Sequence, residues 1–473
     1  MKTFFLAVAA LLFGLSQASA YDTASKAWNE IYPAIESQIK APEFRDKDYR
    51  LLDYGKRSST EGFLYTEMIN SLIERCSSEG GGRVVIPRGT WFTGPITLKS
   101  NVNLHLEEGA TLLFTSDLNE YPIVYTHWEG VKCYNYQPMI YAFEQENIAV
   151  TGKGTIDGGA SRDNWWAMCG APRFGWKEGI VSQRIGRPLL LEWNEKGVPV
   201  EQRRLGDGYG MRVQLLNPVG CRNVLIEGVT MLRSPFWVIH PVLCENLTVR
   251  NVHVQNDGPN GDGCDPESCK NVLIEGCYFD TGDDCIAIKS GRNRDGRLAN
   301  VPTENVIVRN CKMKNGHGGV VVGSEIAGGY KYLFVENCDM DSPELERVIR
   351  IKTNDCRGGV IENIFVRNVR VGRCKEAVLK INLQYDRKEA CNHIYPPIVQ
   401  NVFLENVTCH ESKYGIMMVG YENICNIRNV ELKNCDFTGV TSGGNYLSGL
   451  AEGVNLVNVR INGAPCTSLT SEK

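Results

Sequence analysis

The feature that most constrains the fold of this chain is a nine-residue segment that recurs along its second half. It reads NVLIEGVTM at 223–231, NLTVRNVHV at 246–254, NVLIEGCYF at 271–279, NVIVRNCKM at 305–313, YLFVENCDM at 332–340, NIFVRNVRV at 363–371, NVFLENVTC at 401–409 and NVELKNCDF at 429–437. Each copy alternates apolar and polar residues, turns at Asn or Gly, and alternates again, which is the signal of two strands joined by a tight turn. One such unit cannot bury its own apolar face, so the copies must stack.

The copies start 23 to 38 residues apart while the strand segments keep their length. Constant strands with variable spacing predict a solenoid whose loops differ in length on one side. We therefore expect an all-β fold, a parallel β-helix with an apolar interior and ladders of Asn side chains at its turns. Residues one repeat apart lie side by side in such a fold.

Two segments do not fit the repeat. Residues 21–46 place Trp28, Ile31, Ile35 and Ile39 at helical spacing, and we expect a helix that covers the open N-terminal end of the solenoid. The solenoid itself should then extend over 47–473 as one catalytic domain. Residues 159–212 interrupt the ladder, and we interpret them as a long excursion near the groove, because long loops of this kind are often functional.

The first twenty residues resemble a secretory signal. Lys2 precedes an apolar run at 4–15, and Ala18-Ser19-Ala20 forms a cleavage site before Tyr21. The alternative, a membrane anchor, is disfavoured because the run is short for a bilayer. We expect a secreted or periplasmic protein that is not inserted in a membrane after cleavage, and a monomer.

Charge and cysteine usage exclude some partners. The net charge of −4 provides no basic field for nucleic acid. Of the 18 cysteines, four occupy the same place in their repeats, which favours thiols stacked in a core over a disulfide framework: Cys277, Cys311, Cys338 and Cys435. No cysteine pair has zinc-finger spacing, and the histidines are scattered, so we expect no metal and no other cofactor.

Between residues 260 and 352, acids and a histidine recur at intervals of about one repeat. Asp262 lies in NGDGCD, Asp283 and Asp284 in TGDDC, and His317 in GHGG. A glycosidic bond is hydrolysed by two carboxyl groups, one donating a proton and the other activating water or attacking the sugar. Carboxyls on adjacent strands should share a proton, which raises one pKa and provides the acid. A calcium site or turn-capping aspartates are the alternatives.

Cations follow the acids. Arg350 and Lys352 are two residues apart, so on a strand they point to the same face. Lys289 and Arg292 follow the Asp pair, and Tyr385 lies one repeat after Arg350. Such a patch in an acidic protein indicates an anionic substrate, which Arg would hold by bidentate hydrogen bonds.

These motifs resemble the polygalacturonase family of glycoside hydrolases. The similarity includes NGDG, GDD, GHGGVVVGS at 316–324, RIK at 350–352 and the later Tyr385, and it extends to DYG at 53–55, GGGRVVIPRGTW at 80–91 and LKSNVNLHLEEGATLLF at 98–114. The resemblance implies a single-stranded right-handed parallel β-helix of the pectin-lyase-like kind. It also implies inverting hydrolysis of α-1,4 bonds between galacturonate units of pectic polysaccharide or oligogalacturonides, without a metal.

Carried over by position, the resemblance assigns a role to each site residue. Asp283 is the general acid, Asp262 and Asp284 hold the attacking water, and His317 assists. Arg350, Lys352 and Tyr385 bind substrate beside the cut, and Lys289 and Arg292 extend that patch.

One departure from the common family pattern concerns the mode of attack. Gly261 stands where Thr is commonest, and SPFWVIH at 234–240, NGDGCDPES at 260–268 and KSGRNRDGR at 289–297 are more similar to exo-acting members. Alternatives are a hydrolase of rhamnogalacturonan or a substituted galacturonan, a calcium-dependent lyase on the same architecture, and a non-catalytic pectin-binding β-helix.

Overall fold

The computed structural model describes residues 23–470 and forms a parallel β-helix with three faces. In each full coil the chain crosses a first face, bends, crosses a second face, and passes through a loop to a third face. The predicted signal at residues 1–20 lies outside the described residues. Within 23–470, no helix is both long and apolar enough to cross a membrane.

The first face carries the first strand of each repeat recognised in the sequence, and the second face carries the second strand. Its strands are β1 (Asp48–Arg50), β2 (Gly82–Ile86), β5 (Val102–Leu106), β10 (Glu146–Gly152), β13 (Arg222–Glu227), β15 (Glu245–Arg250), β17 (Lys270–Glu275), β20 (Thr303–Arg309), β23 (Tyr330–Glu336), β26 (Val360–Arg373), β28 (Ile398–Glu411), β30 (Ile427–Lys433) and β33 (Glu452–Val457).

The second face follows each bend, and β26 and β28 continue onto it. Its other strands are β3 (Gly89–Thr93), β6 (Ala110–Phe114), β11 (Thr155–Asp157), β14 (Thr230–Leu232), β16 (His253–Asn256), β18 (Tyr278–Thr281), β21 (Lys312–Met313), β24 (Asp339–Met340), β31 (Asp436–Phe437) and β34 (Arg460–Ile461), the last paired with the antiparallel β35 (Ala464–Pro465).

The third face is built by β4 (Ile96–Thr97), β9 (Ile140–Phe143), β12 (Leu216–Val219), β19 (Ile286–Ile288), β22 (Val320–Gly323), β25 (Arg347–Lys352), β27 (Ala377–Asn382), β29 (Tyr414–Val419) and β32 (Asn445–Ser448). An antiparallel hairpin, β7 (Ile123–Trp128) and β8 (Val131–Tyr136), leaves the ladder beside this face. The sequence analysis did not predict this hairpin.

The predicted Asn ladders are confirmed. Asn305 donates to Asn271 at 2.9 Å, and Asn401 donates to Asn363 at 2.9 Å. Asn305 has a φ of 61°, in the left-handed region that Asn tolerates better than most residues. The amide side chain therefore both permits the bend and links one coil to the next.

The interior is filled by the inward-facing apolar residues of all three faces, including most of the thiols. Cys277, Cys311, Cys338 and Cys435 are all free and buried, as predicted. One disulfide does form, between Cys356 and Cys391, and it ties down the loop that follows β27.

The prediction that residues 21–46 cover the N-terminal end is wrong. A π-turn at Ala27–Ile31 and helix α1 (Tyr32–Glu36) lie on the outside of the first face, mid-way along the solenoid. There Trp28 packs edge-on against Phe334, whose ring stacks on Phe365. The apolar stripe was predicted correctly. Its packing partner, however, is a row of outward-facing aromatic side chains that successive strands of the first face contribute.

The N-terminal end is covered instead by helix α3 (Thr66–Ser78), which follows the short α2 (Leu51–Tyr54). Helix α3 buries Ile69, Leu72, Ile73 and Cys76 in the solenoid core. Its amphipathic pattern gives one apolar face and one solvated face, as a helix covering an open solenoid end requires.

The excursion at 159–212 does leave the ladder, since β11 ends at Asp157 and β12 begins at Leu216. It contains 3₁₀ turns at Ala167–Cys169, Pro172–Phe174 and Val200–Gln202, and helix α4 (Gln183–Lys196). Leu190 of α4 packs with Trp128 and Val131 of the hairpin and with Phe236. A last helix, α5 (Asn293–Ala299), contacts α4 and strand β8 of the hairpin.

Candidate active site

The loops that enter the third face bring the predicted residues into one cavity. Asp283 and Asp284 precede β19, His317 precedes β22, and Lys352 ends β25. Because these strands are parallel neighbours in register, residues far apart in sequence stand side by side. The cavity is lined by Glu129, Arg187, Trp237, Asn260, Asp262, Asp283, Lys289, Arg292, His317, Ser324, Glu325, Lys352, Tyr385 and Asp386.

Asp283 and His317 form a hydrogen-bonded pair at the mouth of the cavity. His317 Nδ1 lies 2.8 Å from Asp283 Oδ1. The side chain of Asp283 is 18% exposed and that of His317 is 42% exposed. This pair is therefore the accessible acid–base group of the site.

Asp284 is fully buried and held by two cations. Its Oδ2 accepts a hydrogen bond from Lys352 Nζ at 2.6 Å, and its Oδ1 lies 3.4 Å from Arg350 Nη1. The ring of Tyr385 lies over both cations, 5.2 Å from Lys352 Nζ. Arg350 and Lys352 thus come together as predicted, but in this structure they hold the Asp284 carboxylate.

Asp262 lies in a second buried group around Lys289. Lys289 Nζ is 3.2 Å from Glu325 and 3.8 Å from both Asp262 and Asp265. It also lies 4.5 Å above the Trp237 ring. A buried lysine among three carboxylates can neutralise only part of their charge.

The pKa values of the aspartates move apart. Burial raises the pKa of Asp262 well above its usual range, Asp265 and Asp283 raise it further, and Lys289 opposes them. Burial also acts to raise the pKa of Asp283, but the hydrogen bond and charge of His317, with Lys352 and Lys289, outweigh it and lower that pKa. The expected split therefore occurs, with the raised pKa on Asp262 and not on Asp283.

The proton beside Asp283 is held by its partner. The hydrogen bond to Asp283 raises the pKa of His317 above its ordinary value, against the effect of burial. The Asp283–His317 pair therefore keeps its proton to higher pH than an isolated histidine would, and its two members titrate as a unit.

Arg292 lines the cavity but its charge is already matched. It contacts Glu129 at 2.8 Å, Glu389 at 2.9 Å and Glu325 at 3.4 Å, and it is buried. The structure therefore places Arg292 as a brace between the hairpin and the loop after β27.

A group of three carboxylates could also attract a cation. Oxygens of Asp262, Asp283 and Asp284 all lie within 4.8 Å of one another. Lys289 and Lys352 contact two of the three acids, so cationic charge is already supplied to them by the chain. The expectation that the site needs no metal stays a prediction.

The chain is similar to known proteins in both sequence and fold. Residues 212–456 match the sequence profile of glycosyl hydrolases family 28. This chain belongs to glycosyl hydrolase family 28. A structure of a hyperthermoactive exopolygalacturonase from Thermotoga maritima matches with a TM-score of 0.86 at 40% identity, covering 93% of this chain and 97% of that chain.

Sequence relatives agree with the family 28 assignment. A probable polygalacturonase of Vitis vinifera is 29% identical over 76% of this chain and 69% of its own length. An exo-poly-alpha-D-galacturonosidase of Dickeya chrysanthemi is 26% identical over 74% of this chain and 60% of its own length. The protein is a glycoside hydrolase of the polygalacturonase type, and its fold is the predicted right-handed parallel β-helix.

Sequence reasoning missed several residues of this family 28 site. Asp265 and Glu325 were within reach, because Asp265 lies in NGDGCD and Glu325 directly follows GHGGVVVGS. Glu129, Arg187 and Glu389 lie in segments without a repeat, so no periodicity pointed to them.

Proposed function

We propose that this enzyme hydrolyses α-1,4 galacturonosyl bonds of polygalacturonan or its oligomers from the non-reducing end, with inversion. The observation that carries the proposal is the set of three adjacent carboxylates, among cations, at the cavity beside the third face. Acids alone would serve any glycosidase. Lysines beside them suit a substrate that carries a carboxylate on every sugar.

Asp284 and Asp262 are the groups that hold the attacking water, with Asp284 as the proton acceptor and Asp262, whose pKa is raised well above its usual range, as the hydrogen-bonding partner. The Asp284 carboxylate is oriented by Lys352 at 2.6 Å and Arg350 at 3.4 Å, and in this proposal it accepts the proton of the attacking water. Asp262 lies within 4.8 Å of it, oxygen to oxygen. The family resemblance supports inversion, whereas the nearest oxygens of the three aspartates lie within 4.8 Å of one another, which is closer than the roughly 6.5–9.5 Å typical of an inverting pair. The configuration of the first product decides between the two mechanisms.

Asp283 is the group that delivers the proton to the leaving oxygen. It is the most exposed of the three aspartates, whereas the side chains of Asp262 and Asp284 are 4% and 0% exposed. Its lowered pKa is reconciled with this role by His317, which carries the proton within 2.8 Å of the carboxylate. A bound polyanion raises the carboxyl pKa and moves that proton toward Asp283.

The wall that the hairpin β7–β8 and helix α4 add to the cavity supports exo attack. These two segments contribute Glu129 and Arg187 to the cavity lining. A polymer cannot run past such a wall, so only a chain end can reach the acids. The excursion and the hairpin thus together restrict access to the acids, which agrees with the predicted position of the excursion near the groove.

Export and a monomeric state belong to the same proposal. An apolar run with an Ala-Ser-Ala cleavage site supports a secreted or periplasmic enzyme, and polymeric pectin is met outside the cytoplasm.

The test is to incubate the enzyme with polygalacturonate and follow new reducing ends together with the anomeric configuration of the first product by NMR. We expect new reducing ends in the β configuration. An ultraviolet-absorbing unsaturated product would identify a lyase, α product would show retention, and no new ends on any pectin would favour a binding protein.

A further inference from the structure

The side of the cavity formed by the hairpin and the excursion contains a pair of side chains to which nothing above assigns a ligand. Glu129 stands at the tip of the β7–β8 hairpin, and Arg187 projects from helix α4 of the excursion. Arg187 Nε donates to Glu129 Oε2 at 2.8 Å, and both side chains line the cavity. The pair comes from two segments that lie outside the repeating coils.

This pair is held in place from several sides. Arg292 Nη1 also donates to Glu129 Oε2, and Arg292 N donates to the carbonyl of Gly130 at 2.9 Å. On the hairpin strand, His127 contacts Glu267 at 2.7 Å, and the Trp128 ring stacks on Phe236 at 4.8 Å. The hairpin tip is therefore preorganised against the third face, as a recognition element requires.

Both members keep unused hydrogen-bonding capacity. Arg187 is 34% exposed, and among residues 23–470 its Nη1 and Nη2 groups contact no acceptor. Glu129 Oε2 accepts from two guanidinium groups, while its Oε1 has no donor in the same part of the chain. A donor fork beside a free carboxylate oxygen matches a sugar that bears both a carboxylate and a hydroxyl.

We propose that Glu129 and Arg187 recognise the non-reducing terminal galacturonate, and that Glu129 does so through its free C4 hydroxyl. Arg187 binds the carboxylate of that sugar with its two terminal nitrogens. Within a chain the C4 oxygen is part of a glycosidic bond and has no proton to donate. Glu129 therefore accepts a hydrogen bond that only a chain end can offer, and this inference rests on the exo activity proposed above.

A pair of substrates isolates the hydroxyl. Saturated trigalacturonate ends in a C4 hydroxyl, whereas the trimer with a 4,5-unsaturated end has the same charge and length but no such hydroxyl. We expect the wild-type enzyme to cleave the saturated trimer with a kcat/KM roughly tenfold to a hundredfold higher, the size of a hydrogen bond to a charged group.

Glu129→Ala should remove that preference, bringing the two kcat/KM values to within about threefold of each other, a fraction of one such hydrogen bond. Glu389→Ala is the matched control, because it also removes a carboxylate from Arg292 but does not line the cavity. It should keep the preference whatever it does to the rate. Arg187→Ala should lower kcat/KM on both trimers alike, since both carry the terminal carboxylate.

The outcomes separate this inference from the proposed function. Activity on both trimers with equal kcat/KM in the wild-type enzyme would overturn the recognition of the hydroxyl and leave the hydrolase in place. If Glu389→Ala also lost the preference for the saturated trimer, that preference would come from the general shape of the wall and not from Glu129. No hydrolysis of any galacturonan would instead remove the proposed function. The wild-type comparison requires no variant, so a misfolded Glu129→Ala leaves the test intact.

Discussion

The first and third faces of the β-helix use the same coils for opposite purposes. On the first face every coil repeats the last, with Asn305 bonded to Asn271 and Phe365 stacked on its neighbours. On the third face each coil differs, and Asp283, His317 and Lys352 occupy successive loops and strands. Repetition stabilises the scaffold, and departure from repetition creates the chemistry.

The same contrast holds between the catalytic acids and the wall beside them. The acids lie in loops of the coils, so the repeat sets their positions. The wall is built from the hairpin and the excursion, which share no repeat with the solenoid. In the proposed function, the coils of the scaffold provide the hydrolytic residues, and the added segments control access of the substrate.

The largest effect is expected when the proposed acid, Asp283, is replaced without a change to the scaffold. Asp283→Asn keeps the shape of the side chain but cannot donate a proton, so we expect kcat to fall by about 10²–10⁴-fold. Asp280→Asn is the control, because Asp280 bonds Asn315 on the second face and does not line the cavity. More than about a tenth of wild-type rate in Asp283→Asn would show that another group is the acid.

The pH profile tests the proton held by the Asp283–His317 pair. Because the pKa of His317 is raised, the pair keeps its proton below that pKa and loses it as the pH rises through it. We expect kcat/KM to fall on the alkaline side above about pH 6.5, the ordinary value for histidine. In His317→Asn this limb should move to lower pH, with a loss of roughly tenfold or more at pH 7. An unmoved limb would mean that another group sets it.

Lys352→Ala tests whether the cations of the third face bind the substrate carboxylate or only hold Asp284. If they bind the carboxylate, the variant should lose about 1.5–3 kcal/mol of binding free energy for galacturonan and far less for its methyl ester. Lys380→Ala is the control, since Lys380 lies one strand away and pairs with Glu376. Equal losses on both substrates would show that Lys352 acts only through Asp284.

The smallest effect is expected on the repeating face. Asn305→Ala removes one rung of the Asn ladder and leaves a φ of 61° on a residue that disfavours it. We expect the free energy of unfolding to fall by about 1–3 kcal/mol, with kcat unchanged. Asn305→Gly removes the rung but introduces no strain, because glycine adopts a positive φ freely, so it should cost less. A large loss of activity in either variant would show that the two faces are not independent.

The repeat made the solenoid, the Asn ladders and the catalytic face predictable from the sequence, because period and spacing fix which residues share a face. Trp28 shows the limit. Its helical spacing predicted an apolar stripe but could not say that the partner was the outer side of the first face. Glu129 and Arg187 meet through tertiary packing of non-repeating segments, so no local pattern could bring them together.

The most direct test of the wall is the course of polygalacturonate digestion by the wild-type enzyme. Solution viscosity and new reducing ends are measured together through the first few per cent of hydrolysis. If the hairpin and excursion admit only chain ends, viscosity should fall slowly while short products accumulate from the start. A steep early fall in viscosity with a ladder of intermediate oligomers would show that the polymer passes the wall and is cut at random.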